Sequence, residues 1–532
     1  MGVLLEPIVA VRGDEPAVVD ERSTTSWREL DERVDRLVHA LRDRGLDEGD
    51  RVVALLGNQV ELVELSLACA TGGWVLVPLN WHWVAPEVAY VLEDAGAAAA
   101  VIDERFLDIA AAALEVAPVG VRIVVTDAPR DDRAGSSSPG FEAWSDVVAS
   151  GAAGPVDHPT KGGPMFYTSG TTGHPKGVRS ALTSVGGPAE MLTLMAHSLG
   201  PTIGVVPIGS DGHEPAVQLV CGPTYHSAQW VFALFPLLCG ATVVFQHRFD
   251  AEGVLGLIDA HAVTNVHLVP TQISRMLDLP EAVRAAFDGT SLRTVLHGAA
   301  PCPPSVKRAA IEWWGPVVTE YYGGTEGGFL AVIEAEEWLE RPGSVGRPLP
   351  IVEVRIVDDD GEVLEVGRTG EIWFRNLLGS DFEYHNAPEK TASAHRSDGF
   401  GTLGDVGHLD EEGYLFLSDR RIDMVVSGGV NIYPAEVEGV LAAHPVVADV
   451  AVFGIPDDEM GESVHAAVAL RRGVDWNGET ETALDQWCRE RLAGYKRPRS
   501  YEVHDELPRN EAGKLTKRTL RDPWWQGRDR SI

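Results

Sequence analysis

The stretch Y-T-S-G-T-T-G-H-P-K-G-V, Tyr167 to Val178, sets Gly170, Gly173 and Gly177 among Thr168, Ser169, Thr171 and Thr172, with Lys176 near its end. Small residues let backbone N–H groups turn toward a phosphate, and the hydroxyls add donors. The composition is that of a phosphate loop. It is not the Walker kind, whose G-x-x-x-x-G-K-[ST] pattern needs a glycine at 175 and a hydroxyl at 177. This chain has Pro175 and Gly177 there. The loop follows directly on the strand-like P-M-F-Y, Pro164 to Tyr167.

Four further stretches follow in order. They are E-Y-Y-G-G-T-E at Glu320–Glu326, T-L-G-D-V-G-H-L-D-E-E-G-Y-L-F-L-S-D-R-R at Thr402–Arg421, S-G-G-V-N-I-Y-P-A-E-V-E at Ser427–Glu438, and L-P-R-N-E-A-G-K-L-T-K-R at Leu507–Arg518. Together with the loop, over nearly the whole chain, they resemble the adenylate-forming (AMP-binding) superfamily of acyl-CoA synthetases, luciferases and adenylation domains. Within it they resemble the acyl-CoA synthetase, or fatty-acid–CoA ligase, branch. The resemblance implies two steps. A carboxylate attacks the α-phosphate of ATP and releases pyrophosphate; the thiol of coenzyme A then displaces AMP. Two anions meet in the first step, so neutralising and positioning charge is the main catalytic task.

The resemblance also implies roles for individual residues. Lys514 is the catalytic lysine that reaches the acid and the α-phosphate, and Lys176 lies over the outgoing phosphates. Thr168 and Glu326 hold Mg²⁺, which prefers hard oxygen ligands and substrate phosphates. Ser169, Gly170, Thr171, Thr172 and Gly173 complete the phosphate cradle. Tyr322 lies against adenine within the motif Glu320, Tyr321, Tyr322, Gly323 and Thr325, and the backbone of Gly298, Ala299 and Ala300 runs along the base edge. Asp405 accepts from the ribose hydroxyls, as suits an ionised carboxylate, and Arg420 reaches ribose or phosphate. His226 and Trp230 wall the acyl site, with Gly298, Gly323 and Gly324 leaving space for a bulky or long acyl group. Ser427, Gly428 and Gly429 let the pantetheine arm pass close to backbone.

Each role has a plainer counterpart: a solvated lysine on a basic tail for Lys514, a core tyrosine for Tyr322, a structural histidine for His226, a surface ion pair for Arg420. Two positions depart from the family pattern. Leu403 stands where T-G-D is usual, with Thr402 one place earlier, and Ile422 occupies a hinge position that is commonly Asp or Lys. Isoleucine is stiff at χ1 and offers water no charge, so Ile422 is expected to shift the balance between the two half-reactions. The substrate expected is a fatty or other hydrophobic carboxylic acid, since Y-H-S-A-Q at Tyr225–Gln229 offers no acid to pair an α-amine. The alternatives are an adenylating enzyme that hands the acyl group to a carrier protein, and a non-catalytic nucleotide-binding homologue.

The elements that must position these residues alternate. R-V-V-A-L-L-G and W-V-L-V-P-L-N read as strands, and V-E-L-V-E-L-S-L-A-C-A-T-G-G and P-E-V-A-Y-V-L-E-D-A-G as helices; the scheme recurs between Ala241 and Leu279. Such βαβ succession predicts largely parallel sheets with ligands at strand C-termini. From about Ile351 apolar and polar residues alternate around D-D-D-G, which predicts antiparallel β structure. The expected fold is α/β: a large N-terminal domain (1–419) with parallel-rich sheets and a β subdomain, a hinge (420–422), and a small mobile α+β C-terminal domain (423–532). Asp127 to Gly140 reads as a surface insert.

With 44 Lys+Arg against 79 Asp+Glu, the formal charge is −35. That field disfavours nucleic acid and anionic membrane as bulk partners. Five cysteines, none spaced C-x-x-C, fit a reducing, cytoplasmic setting and core roles. The start is not expected to be a signal peptide, nor R-S-I at the end a peroxisomal signal. The most apolar run, Trp230 to Phe245, is interrupted by Pro236 and Gly240 and reads as a buried helix and strand, not a membrane span. Peripheral membrane contact and a homodimer stay open.

Overall fold

The structure, a computed structural model, describes residues 3–126, 140–168, 175–181, 184–420, 423–427, 430–457, 460–510 and 515–526. The chain forms two compact units: residues 1–268, 279–296 and 380–393, and residues 269–278, 297–379 and 394–532. The fold is mixed α/β. Residues 127–139 of the expected insert lie outside the described residues.

The first unit is built as the βαβ succession predicts. Its six-stranded sheet runs Glu142–Ala143, Val121–Val125, Ala97–Asp103, Arg51–Leu55, Val75–Pro78, Gly163–Pro164, and every pairing is parallel. The helices Val60–Gly72 and Ala85–Ala95 lie where the sequence places them. Val53, Val77, Ile102, Val91 and Leu92 share one buried cluster, because a parallel sheet needs helix cover on both faces. Asn265–Leu268, Val217–Val220, Thr242–Phe245 and Pro16–Val19 form a second parallel series, edged by antiparallel Thr24–Ser26. The apolar run from Trp230 divides into the buried helix Ser227–Leu238 and the buried strand Thr242–Phe245.

In the second unit antiparallel pairing begins earlier than the alternation near Ile351 predicts: Val318–Gly324 pairs antiparallel with Gly328–Glu334, and that strand with Ser344–Pro348. Val352–Val357 pairs antiparallel with Gly370–Asn376, and that strand with Gly401–Leu409, which pairs with Leu415–Arg420. Residues beyond 423 add a five-stranded sheet around the long hairpin Val447–Asp457 and Gly461–Leu470. The helix Gly478–Arg491 buries Leu484 and Cys488 against that sheet's core, while the Trp487 indole N–H donates to the Val440 carbonyl at 2.8 Å. Among the described residues no helix is long and apolar enough to cross a membrane.

Candidate active site

The segments on either side of the expected phosphate loop pair with each other. Phe166–Thr168 pairs antiparallel with Lys176–Arg179, and the register sets Lys176 directly opposite Thr168. Two residues eight apart in sequence thus meet at one end of a ladder, beside residues 169–174, which lie outside the described residues. Gly177 has its own reason to be glycine. A Cβ there would press on His385, Met165 and Tyr167 at 3.1–3.2 Å, tighter than side chains normally pack.

The hairpin is held from outside the motif. The Tyr167 hydroxyl donates to Asp94 Oδ2 at 2.8 Å, and Lys176 Nζ lies 3.4 Å from the Tyr90 hydroxyl. The Asp94 carbonyl takes a contact from His385 Nε2 at 3.1 Å and a hydrogen bond from Asn386 Nδ2 at 3.0 Å, and the His385 N–H donates to the Gly177 carbonyl. Burial, with Asp94 beside it, pushes the Tyr167 phenol well above its ordinary range, so it stays a donor. Tyr90 and Asp94 stand on the helix Ala85–Ala95, far from the loop in sequence, and nothing local in the sequence marks them.

His226 caps the N-terminus of Ser227–Leu238 through its extended backbone, and its ring lies 4.6 Å from the Tyr225 ring. The segment before it is fixed by Asn58, whose amide is fully used. Asn58 donates to the Gly222 and Gln246 carbonyls (2.8 and 3.0 Å) and accepts from the Thr224 N–H and hydroxyl (3.1 and 2.9 Å). Trp230 is 1% exposed; its indole N–H donates to the Ser66 hydroxyl and its ring meets Phe166 edge-on. Gln229 contacts His267 Nδ1 at 2.8 Å, and burial pushes His267 down to about 3, so that imidazole is neutral.

The second unit carries the expected base and sugar residues. Tyr321 and Tyr322 are buried on the strand Val318–Gly324. A Cβ on Gly298 would sit 2.6 Å from the Tyr321 ring, so the backbone at Gly298 crosses close over that tyrosine. Ala299 takes φ +65°, a left-handed conformation that is strained for alanine. Beneath, Lys307 Nζ donates to Glu320 Oε2 at 2.6 Å with both side chains buried, and the ammonium lies 4.9 Å from the Trp338 ring centre. Burial alone pushes the Glu320 carboxyl up and the Lys307 ammonium down; each partner opposes the other's shift.

Tyr322 donates its hydroxyl to Asp405 Oδ2 at 2.8 Å. In the antiparallel pair of Gly401–Leu409 with Leu415–Arg420, Asp405 stands opposite Arg420. Thr402 is committed internally: its hydroxyl donates to the Ile372 carbonyl and accepts from the Gly404 N–H, both at 2.9 Å. It shapes the turn before Asp405. The two glycines expected to leave space for the acyl group, Gly323 and Gly324, differ. A Cβ on Gly323 would strike the Gly328 carbonyl oxygen at 1.9 Å, so the strand pairing itself demands glycine. A Cβ on Gly324 would lie 3.2 Å from the Leu403 side chain and 3.5 Å from Glu326 Oε2.

Ser427 ends the strand Val425–Ser427, paired with Val430 and Gly461. Gly428, Gly429, Ile422 and Lys514 lie outside the described residues, as does the Arg420 side chain. The basic neighbours of Lys514 are each paired: Lys517 with Glu438, Arg518 with Asp522, Arg521 with Asp423. Among the described residues no group of three or more His, Cys, Asp or Glu could hold a metal ion. The Thr168 hydroxyl and the Glu326 carboxylate are each a hard oxygen of the kind that Mg²⁺ prefers.

Residues 5–378 match the AMP-binding enzyme family and residues 436–514 the AMP-binding enzyme C-terminal domain, and the chain belongs to this adenylate-forming superfamily. It is similar to the fatty acid–[acyl-carrier-protein] ligase ScoC of Streptomyces coeruleorubidus, 32% identical over 97% of this chain and 95% of that one. It is likewise similar to the long-chain-fatty-acid–CoA ligase FadD13 of Mycobacterium tuberculosis, 33% identical over 94% and 93%. Among solved structures, o-succinylbenzoate CoA synthetase (MenE) of Bacillus subtilis in complex with its acyl-adenylate intermediate superposes with a TM-score of 0.77, at 28% identity and 99% coverage of both chains. The protein is an adenylate-forming acid ligase, and ATP is the nucleotide such enzymes use.

Proposed function

We propose that the protein is an acid–CoA ligase that converts a fatty or other hydrophobic carboxylic acid to its acyl-AMP and then to its acyl-CoA. The observation that carries the adenylating half is the hairpin register that sets Lys176 opposite Thr168 at the mouth of the phosphate loop. In this reading Lys176 and the loop hold the phosphates that leave, and Thr168 and Glu326 each give an oxygen to Mg²⁺. The bound metal supplies charge neutralisation at the phosphates. Asp405 and Arg420 hold the ribose, and Tyr322 with the Gly298–Ala300 backbone holds the base. Lys514 neutralises charge as the carboxylate oxygen bonds to the α-phosphorus and the bond to pyrophosphate breaks. The thiolate sulfur of CoA then bonds to the acyl carbon, and AMP departs with the electron pair of the broken C–O bond.

The choice of free CoA rests on the Ser427–Glu438 stretch, which resembles the thiol-tunnel loop of CoA ligases, and on likeness to a CoA ligase. Transfer to a carrier protein is the second reading, favoured by the likeness to ScoC. Pyrophosphate–ATP exchange tests the first step. Exchange that depends on an added hydrophobic acid is expected; exchange supported only by amino acids would overturn the assignment of the acid.

A further inference from the structure

We propose that Lys307 is a positioning residue for the nucleotide: through its buried bond to Glu320 it holds the Gly298–Ala300 backbone in the conformation that tells adenine from other bases. The inference rests on the reading of that segment as the edge along which the base lies. Lys307 Nζ donates to Glu320 Oε2 at 2.6 Å, and Lys307 is 1% and Glu320 7% exposed.

Both ends of the segment meet at Glu320. His297, the residue before Gly298, places its Nε2 4.0 Å from the same Glu320 Oε2. Lys307 stands in the first turn of the helix Pro304–Trp314, just beyond the segment, and its N–H donates to the Pro303 carbonyl at 3.1 Å. The connector between Ala300 and that turn contains Pro301, Pro303 and Pro304. Proline fixes φ, so the connector transmits the position of the helix instead of absorbing it. Nor can the segment shift inward. A Cβ on Gly298 would lie 2.6 Å from the Tyr321 ring and 2.7 Å from the Tyr321 carbonyl oxygen. What these contacts hold is a strained residue: Ala299 is exposed and takes φ +65°, where alanine pays a steric penalty. Such strain persists only where the surroundings over-determine it.

Base selectivity follows from that fixity. The φ of Ala299 decides which way the peptide groups on either side of it face. A backbone carbonyl only accepts and an N–H only donates. An edge held in one orientation therefore suits either an amino or an oxo group on the base, and the wrong one leaves polar groups mismatched. With Lys307 and Glu320 uncoupled, Ala299 relaxes to negative φ, the edge turns, and the preference fades.

The test is calorimetric binding of AMP and IMP, which differ by an amino against an oxo group on the base, to the full chain. It needs no knowledge of the acid. Wild type is expected to bind AMP more tightly than IMP. Lys307→Met with Glu320→Met replaces the pair by apolar side chains of similar length, which a core tolerates better than one orphaned charge. This double variant is expected to weaken AMP about tenfold and IMP by less than about twofold, so the preference collapses. Glycine takes positive φ freely, so adding Ala299→Gly is expected to restore AMP binding to within about threefold of wild type. Equal weakening of both nucleotides, or a lost preference that Ala299→Gly does not restore, would overturn the proposal. If the double variant does not melt in a single transition, Glu320→Gln decides, since it keeps the shape and weakens the bond. A preference for AMP reduced about threefold supports the proposal, and one equal to wild type overturns it. Wild type that binds AMP no better than IMP would remove the base-edge reading itself, whereas a wild-type preference left intact in the variants removes only the role of Lys307.

Discussion

Lys514 and Lys176 are both lysines near glycine in loops, yet they are assigned different work. Lys176 stands opposite Thr168 in the hairpin ladder, and on the proposed reading its charge serves the phosphates that leave. The described cations that follow Lys514 are each engaged with an acid, and on the proposed reading the chemistry falls to Lys514. Lys514→Ala is therefore expected to lower acid-dependent adenylation by 10²-fold or more, the order seen for loss of one charge-stabilising group. Thioester formation from supplied acyl-AMP should be nearly unchanged. Equal loss of both steps, measured by single-turnover kinetics, would make the role structural. Both lysines stand in local motifs, which is why the sequence singles them out. Thr402 was legible only as an open question. Its commitment to Ile372 and Gly404 depends on a neighbouring strand that no local pattern reveals.

At the scale of elements, the phosphate-loop hairpin is short and leans on Asp94 through Tyr167. Tyr167→Phe keeps the ring and removes that bond, and it leaves a half-buried carboxylate oxygen with one donor fewer. We expect stability to fall by about 1 kcal/mol and the KM for ATP to rise several-fold with kcat changed less. Unfolding midpoints and initial rates would check both. A second element carries a visible burden. Asp31 and Asp35, one turn apart on the helix Trp27–Asp43, are both buried. Burial first, and Asp31 second, push Asp35 up from 3.8 to about 6, with His39 opposing. The folded state thus binds a proton that the unfolded state releases, and stability falls as pH rises from about 4 to about 6. Asp35→Asn is expected to flatten that part of the pH–stability curve and to add on the order of 1 kcal/mol at pH 7, after allowance for solvent screening. Chemical denaturation across that range measures it. The alternation of strands and helices was plain in the sequence because period and length separate them. The three-stranded sheet of Phe166–Thr168, Lys176–Arg179 and Glu383–Tyr384 was not, since its third strand comes some two hundred residues later and is only two residues long.

For the whole molecule, the α/β class was readable from pattern; the change to antiparallel structure, expected near Ile351, comes earlier, at Val318–Gly324 and Gly328–Glu334, whose short runs carry no clear alternation. The pairings that hold the site were not readable. Asn58 reaches a segment 164 to 166 residues away, and Tyr322 reaches Asp405, because folding brings together groups that sequence spacing keeps apart. The family hinge at Ile422 is a question at this scale. A charged residue there offers water a partner as the hinge turns; isoleucine does not. Ile422→Asp is expected to change the ratio of the two half-reaction rates severalfold, read by exchange and by CoA-dependent turnover. Unchanged rates for both would dismiss the role. The central claim is that free CoA takes the acyl group from a hydrophobic acid. The most direct measurement is ATP-dependent formation of acyl-CoA across short, long, aromatic and polycyclic acids. The account predicts thioester with free CoA for one or more hydrophobic acids. Acid-dependent adenylation that yields thioester only on a carrier-protein thiol, and none on CoA, would contradict it.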